Sequence, residues 1–250
     1  MPTELLIPSS LDGTMQPSLF TEASTAGKAP LLVSLHTWSF DRFNTVQQAG
    51  EYAEKYGWHV LFPEFRGPNL RSNPHCTEAC GSPLAKQDIV DAIDYVCEHY
   101  AVDTDNIFLL GCSGGGHMSL LMAGYCPERF KAIGAFVPIT DVERWLGENP
   151  RYTDAILACC NSDPEEMKRR SPMTYIDTIA KSNTKIFHGK YDPSVPVGHS
   201  ITLFNRLTEA YPQSRVFLDV FDGGHEIDME QAMYWFLSQY TADNKTEVTA

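Results

Sequence analysis

Basic residues are scarce in this sequence. Lys and Arg number 19 against 32 Asp and Glu, which leaves a formal net charge of −13. A protein that grips nucleic acid neutralises phosphates with clustered Lys and Arg, so no nucleic-acid partner is expected. An acidic surface instead favours solubility and mildly repels anionic small molecules. Long apolar runs are also missing. No stretch approaches the roughly 18 uncharged apolar residues that a membrane-crossing helix needs, and no span is expected. The opening residues, Met1-Pro2-Thr3-Glu4-Leu5-Leu6-Ile7, lack the basic stretch, apolar run and small-residue cleavage site of a secretory leader. The cysteines number seven, an odd count at irregular spacing, which argues against a disulfide framework. A reducing cytoplasmic setting is the resulting expectation, with secretion left open for a chain whose leader has been removed. Cys76 and Cys80, with His75 nearby, lack the further ligands of a zinc site. No metal or cofactor is expected.

Internal repeats, low-complexity segments and Pro/Gly/Ser-rich linkers are absent too. Hydrophobic residues make up 43% of the chain and charged residues 20%. That is enough apolar content for a core without covalent staples. Residues 3–8 and 14–21 read as a hairpin around Leu11-Asp12-Gly13. Short apolar runs at 31–35, 58–62, 107–110, 132–138, 185–188 and 216–220 have the character of buried strands. Between them lie helical stretches at 43–56, 83–100, 117–125, 197–210 and 226–240. Ile89, Ile93, Val96, Cys97 and Tyr100 recur at three- and four-residue steps, which places them on one helix face. Strands alternating with helices imply a mostly parallel twisted sheet covered on both faces. The rhythm continues without a break, so one α/β domain over residues 1–250 is expected, with a frayed tail at 241–250. Residues 141–178 are polar and broken. They form a short helical, lid-like insertion over the C-terminal strand ends, where ligands bind in such sheets.

The chemistry concentrates in three places. Gly111-Cys112-Ser113-Gly114-Gly115 matches G-x-S-x-G between a buried strand and a helix. That arrangement puts a serine on a sharp, strained turn with its hydroxyl exposed beside free N–H groups of the helix start. A serine hydroxyl needs a base to take its proton. Asp222-Gly223-Gly224-His225 supplies His225 in the loop after the last strand. Asp192, in the loop after the preceding strand, is the candidate carboxylate that orients it. Asp222 is the competitor, better suited to shaping the glycine turn. The chain order Ser, Asp, His is that of the nucleophile-elbow hydrolases. Gly114 N–H would be one oxyanion donor, and the loop Leu35-His36-Thr37-Trp38-Ser39 would carry the other.

With these motifs the sequence resembles the α/β-hydrolase superfamily. It is most similar to prolyl oligopeptidase-type catalytic domains and dienelactone-hydrolase-like esterases, over about residues 30–240. G-C-S-G-G at 111–115, H-G-K-Y-D-P-S-V-P at 188–196 and D-G-G-H at 222–225 carry the likeness, with F-R-G at 65–67 and an Asp88-bearing helix beside them. The resemblance implies a triad of Ser113, Asp192 and His225, with Gly114 and Trp38 as oxyanion donors. It implies a carboxylesterase acting through an acyl-enzyme on Ser113, with acetyl or feruloyl esters within its range. The alternative is a serine peptidase acting on small peptides. Relatives carry His-Gly where this chain has His36-Thr37, and the oligopeptidases gate their site with an N-terminal propeller. The 250 residues leave no room for a propeller, which favours a small-molecule ester as the partner. Trp38, Phe40, Trp145 and Tyr152 are candidate pocket residues. Arg66 is expected to hold the 66–84 loop. His36, His59, His117, His188 and His199 are expected to be structural, Cys112 to pack into the sheet, and Cys159 and Cys160 to pack under the insertion. Oligomeric state is not legible.

Overall fold

The computed structural model describes residues 2–240; the tail expected to fray, 241–250, lies outside them. Strand β1 (Thr3–Pro8) pairs antiparallel with β2 (Met15–Thr21). Asp12 Oδ1 accepts the Thr14 N–H at 3.0 Å, and Gly13 supplies the positive φ of the turn. Strands β3 (Ala29–Leu35) and β4 (His59–Pro63) are buried along their whole length, as apolar runs covered on both faces should be. Strands β5 (Val102–Cys112), β6 (Ala132–Phe136), β7 (Asn183–Gly189) and β8 (Arg215–Phe221) complete one sheet of order β1-β2-β4-β3-β5-β6-β7-β8. All pairings from β4 to β8 are parallel. The strand order reverses at β3, so the C-terminal ends of β3 and β5 flank the crevice where such sheets bind ligands. The mostly parallel sheet read from the sequence is present.

Helices cover both faces. Helix α1 (Val46–Tyr56) packs on one face and α2 (Pro83–His99) and α3 (Gly114–Tyr125) on the other. Along β3, Leu31, Val33 and Leu35 enter one core and Leu32 the opposite one, the two-residue alternation of a strand. Ser82 caps α2 by accepting the Ala85 N–H, and Pro83 fills its first position. Ile89, Ile93 and Val96 form its buried stripe. The insertion holds α4 (Val142–Glu148), α5 (Thr153–Cys159), α6 (Pro164–Arg169) and α7 (Ile176–Ile179). It builds a third apolar cluster with Trp38, Cys80 and Val195. Cys159 and Cys160 pack there. Helix α8 (Gly198–Ala210) follows β7. Helix α9 (Met229–Gln239) lies beside α1, and its Phe236 meets Phe108 of β5 at 5.2 Å. Among the described residues, no helix is long and apolar enough to cross a membrane.

Three helix starts differ from the sequence reading: α3 begins at Gly114, not 117, because the turn at Ser113 passes straight into the helix, and α1 and α9 begin late for related reasons. Helix α1 begins at Val46, not 43, because Asp41 Oδ1 takes the Phe43 N–H and Asn44 Oδ1 takes the Thr37 N–H. Helix α9 begins at Met229, not 226. Asp228 caps it, and the Glu226 carboxylate accepts the Gly224 N–H. In both segments side chains that suit a first helical turn are spent on bracing a loop.

Arg66 holds its loop as expected. Its side chain is 3% exposed and bonds Asp88 at 2.6 Å, Glu78 at 2.6 Å and Asp12 at 2.9 Å. This ties the hairpin, the loop before α2 and α2 itself to one guanidinium. Hydrogen bonds from Arg66 hold Asp12 well below the usual carboxylate range and lower Glu78 as well. An Arg66→Ala variant leaves Asp88, with a side chain 1% exposed, as an uncompensated buried group. A loss of about 3–5 kcal/mol in unfolding free energy is expected, read as a lower urea midpoint. An unchanged midpoint would show the network to be solvent-relaxed.

Candidate active site

Ser113 stands between β5 and α3 with φ 56° and ψ −116°. A residue with a side chain rarely takes such a conformation, and this strain is what lifts the hydroxyl out of the turn. The flanking glycines are a steric requirement. A Cβ at Gly111 would lie 2.2 Å from the Gly115 carbonyl oxygen, and one at Gly115 would lie 2.7 Å from that of Leu35. The Ser113 N–H donates to Phe136 O at 2.9 Å, which pins the elbow to β6. The serine opens into a cleft of about 410 Å³ that His225 also lines.

His225 Nδ1 lies 2.7 Å from Asp192 Oδ2. The histidine side chain is partly exposed to the cleft, whereas that of Asp192 is fully buried. Asp192 Oδ1 accepts the N–H groups of Ser194 at 2.8 Å and Val195 at 2.9 Å. Burial pushes the Asp192 pKa up. Hydrogen bonds from His188, His225 and the Val195 N–H outweigh that and hold the carboxyl well below the usual carboxylate range. The anionic acid faces Nδ1 of the imidazole and so favours the tautomer with its free lone pair on Nε2. No direct hydrogen bond joins the Ser113 hydroxyl to the imidazole, a separation common in sites without substrate.

The first turn of α3 leaves backbone donors free, since His117 N is the first to bond back, to Ser113 O. Trp38 N lies beside Gly114: a Cβ built there would be 2.4 Å from it. The two N–H groups that sequence reasoning singled out are therefore neighbours. Thr37, where the resemblance led one to expect glycine, has no positive φ. Asn44 holds this loop through the Thr37 N–H at 3.0 Å, a brace that no spacing in the sequence announces. A Gly114→Ala variant drives a methyl into the Trp38 backbone. Its kcat is expected to fall about 10²–10³-fold through the displaced donor; kcat within twofold of the parent would argue that these N–H groups do not meet the substrate.

Residues 81–242 match the prolyl oligopeptidase family. The chain belongs to that family. It is a family of serine hydrolases. Acylamino-acid-releasing enzyme 2 of Oryza sativa subsp. japonica is 21% identical over 88% of this chain and 31% of its own length. Feruloyl esterase B of Talaromyces funiculosus is 25% identical over 50% of this chain and 36% of its own. The chain thus spans between about a fifth and about a third of the length of the curated relatives it matches. The acylaminoacyl peptidase of Pyrococcus horikoshii superposes with a TM-score of 0.75 at 18% identity, covering 95% of this chain and 41% of that one. The fold is that of an α/β-hydrolase.

Within this family fold the cleft walls differ in part from the sequence reading. Phe40, 57% exposed, and Tyr152 line the cleft. Trp38 reaches it, but its ring is buried in the cluster under the insertion. Trp145 is a correction: it is fully buried and does not line the cleft, because its indole N–H is spent on Ser194 O at 2.9 Å. Tyr152 is the insertion's contribution to the wall, so the insertion flanks the site more than it covers it. Cys112 packs with Phe136 and Met229 yet also forms part of the cleft floor. Burial pushes its thiol up to about 12, which makes it a poor nucleophile. Gln48, Glu226 and Ile227 complete the wall and were not singled out. Glu226 had a local signal in its place beside His225, whereas Gln48 arrives from α1 through tertiary packing alone. Of the histidines, only His225 lines the cleft. His36, His59, His117, His188 and His199 are buried and bond backbone or side-chain partners.

Proposed function

We propose that this chain is a serine hydrolase cleaving a small, uncharged carboxylic ester through an acyl-enzyme on Ser113. Ser113 Oγ attacks the carbonyl carbon while His225 Nε2 takes its proton. The N–H groups of Gly114 and Trp38 receive the negative oxygen of the tetrahedral intermediate. His225 returns the proton to the leaving alcohol, and a water activated by the same base releases the acid. The observation that carries this reading is the 2.7 Å pairing of His225 with Asp192 at the cleft that holds the strained Ser113. Phe40, Tyr152 and Ile227 give the cleft apolar walls, and Glu226 adds a carboxylate that disfavours anionic substrates.

A second reading, release of an N-acylated amino acid from a peptide, is favoured by the likeness to acylamino-acid-releasing enzymes over most of the chain. Such a substrate has a blocked amino end and needs no carboxylate pair to receive an ammonium group. Assays of p-nitrophenyl acetate and longer or aromatic p-nitrophenyl esters beside N-acetyl-aminoacyl p-nitroanilides decide between the two. A higher kcat/KM on the esters is expected. The opposite order would replace the ester reading with the acyl-peptide one.

A further inference from the structure

Tyr152 is the insertion residue that reaches the cleft, yet Trp145 and Asn149 of the same insertion meet the loop behind it. We infer that the insertion acts on catalysis from behind the site, with Trp145 and Asn149 as positioning residues that clamp the loop carrying Asp192. The inference rests on the proposed roles of Ser113, Asp192 and His225.

The argument turns on a single peptide unit. The carbonyl oxygen of Ser194 accepts Trp145 Nε1–H at 2.9 Å and Asn149 Nδ2–H at 2.9 Å. The N–H of that same peptide, on Val195, donates to Asp192 Oδ1 at 2.9 Å. In a trans peptide the C=O and N–H point in opposite directions. Two donors fixed on the carbonyl side therefore set the direction of the N–H on the carboxylate side. They also polarise the peptide and strengthen the bond it gives to the acid. The next carbonyl, that of Val195, accepts His188 Nε2–H at 2.8 Å, and the Ser200 hydroxyl lies 2.7 Å from His188 Nδ1. The sheet thus holds the loop from one side, and the insertion holds it from the other.

Backbone bonds from Lys190 N–H to Phe221 O and from Tyr191 N–H to Gly223 O, both 2.9 Å, hold the start of the loop, and residues 192–197 beyond them lie outside the strands. Trp145 is fully buried, so no bulk water is at hand to replace its indole donor. The same ring lies edge-on to Trp38 at 4.9 Å and stacks on Tyr152 at 4.7 Å. One buried side chain therefore touches the residue of the second oxyanion donor, a cleft wall and the acid's loop.

The test uses Trp145→Phe, Asn149→Ser and the double variant. Phenylalanine keeps an aromatic ring but loses the N–H. Serine keeps an oxygen for the Arg151 N–H that Asn149 now caps, and falls short of Ser194. The double variant is expected to lose about 10- to 100-fold in kcat with KM within about twofold, as a displaced catalytic group would cause. A purely structural contact would not move the pH profile. Here the acid limb of kcat/KM is expected to shift to lower pH, because a loosened carboxylate supports the imidazolium less. The low-field Nδ1 proton of His225 in the proton NMR spectrum reads the same geometry without substrate and is expected to move upfield or broaden. An unmoved acid limb with an unmoved Nδ1 proton in the double variant overturns the clamp. Trp145→Phe alone carries the test if the double variant does not fold. Failure of a fluorophosphonate to label Ser113 in the parent protein would sink the hydrolase reading instead, while the Nδ1 proton still tests the clamp.

Discussion

A Ser113→Ala variant is expected to lose about five to six orders of magnitude in kcat while keeping the fold. The hydroxyl makes no hydrogen bond among the described residues, so its removal breaks none. The strained backbone stays strained, since alanine meets the same cost at φ 56° as serine does. The free N–H groups of the helix start remain, and they leave a residual rate well above that in water. The thermal midpoint should therefore move little while turnover of a p-nitrophenyl ester disappears. Covalent labelling by a fluorophosphonate should vanish with it. Equal labelling of the parent and the variant would show that the nucleophile is another residue.

The second large effect is expected from Asp192→Asn, about 10⁴-fold in kcat. Asp192 Oδ1 accepts two backbone N–H groups, from Ser194 and Val195. An asparagine keeps its oxygen on that side, because its amide nitrogen cannot accept. The NH2 group then falls where Oδ2 now meets His225 Nδ1 at 2.7 Å. Facing a donor, Nδ1 becomes the acceptor and the ring proton moves to Nε2, so the imidazole can no longer take a proton from Ser113. The same NH2 also faces His188 Nε2, now 3.5 Å from Oδ2. The distinguishing result is a collapsed kcat in a protein that still unfolds cooperatively, at a lower melting temperature because the buried carboxylate's hydrogen bonds no longer stabilise the fold. A rate within tenfold of the parent would mean that Asp192 does not set the tautomer of His225.

Local chemistry made much of this legible in the sequence. The pitch of Ile89, Ile93 and Val96 marks a buried helix face wherever that helix lies. The glycines around Ser113 mark a turn that no larger residue fits, whatever surrounds it. Arg66 is legible as the holder of its own loop; its 2.6 Å contact with Asp88, 22 positions on, is a property of the folded chain. The misplaced helix starts show the limit of local reading. Residues 43–45 and 226–228 have the composition of a helical turn, and only the demands of Thr37 and Gly224 for side-chain acceptors pull them out of it.

The linear polymer alone determined the candidate groups and their order: a serine on a turn too tight for side chains at its flanks, a late carboxylate, and a histidine in a glycine loop. Each follows from bonding and sterics within a few residues. Only the tertiary structure decided which tryptophan brings its backbone to the cleft and which is buried behind it. Trp38 and Trp145 are alike as side chains, and their fates differ because one follows the end of β3 and the other finds the Ser194 carbonyl on a loop 49 residues away. Burial and hydrogen-bond direction depend on what packs against a residue from elsewhere in the chain, which no local pattern encodes.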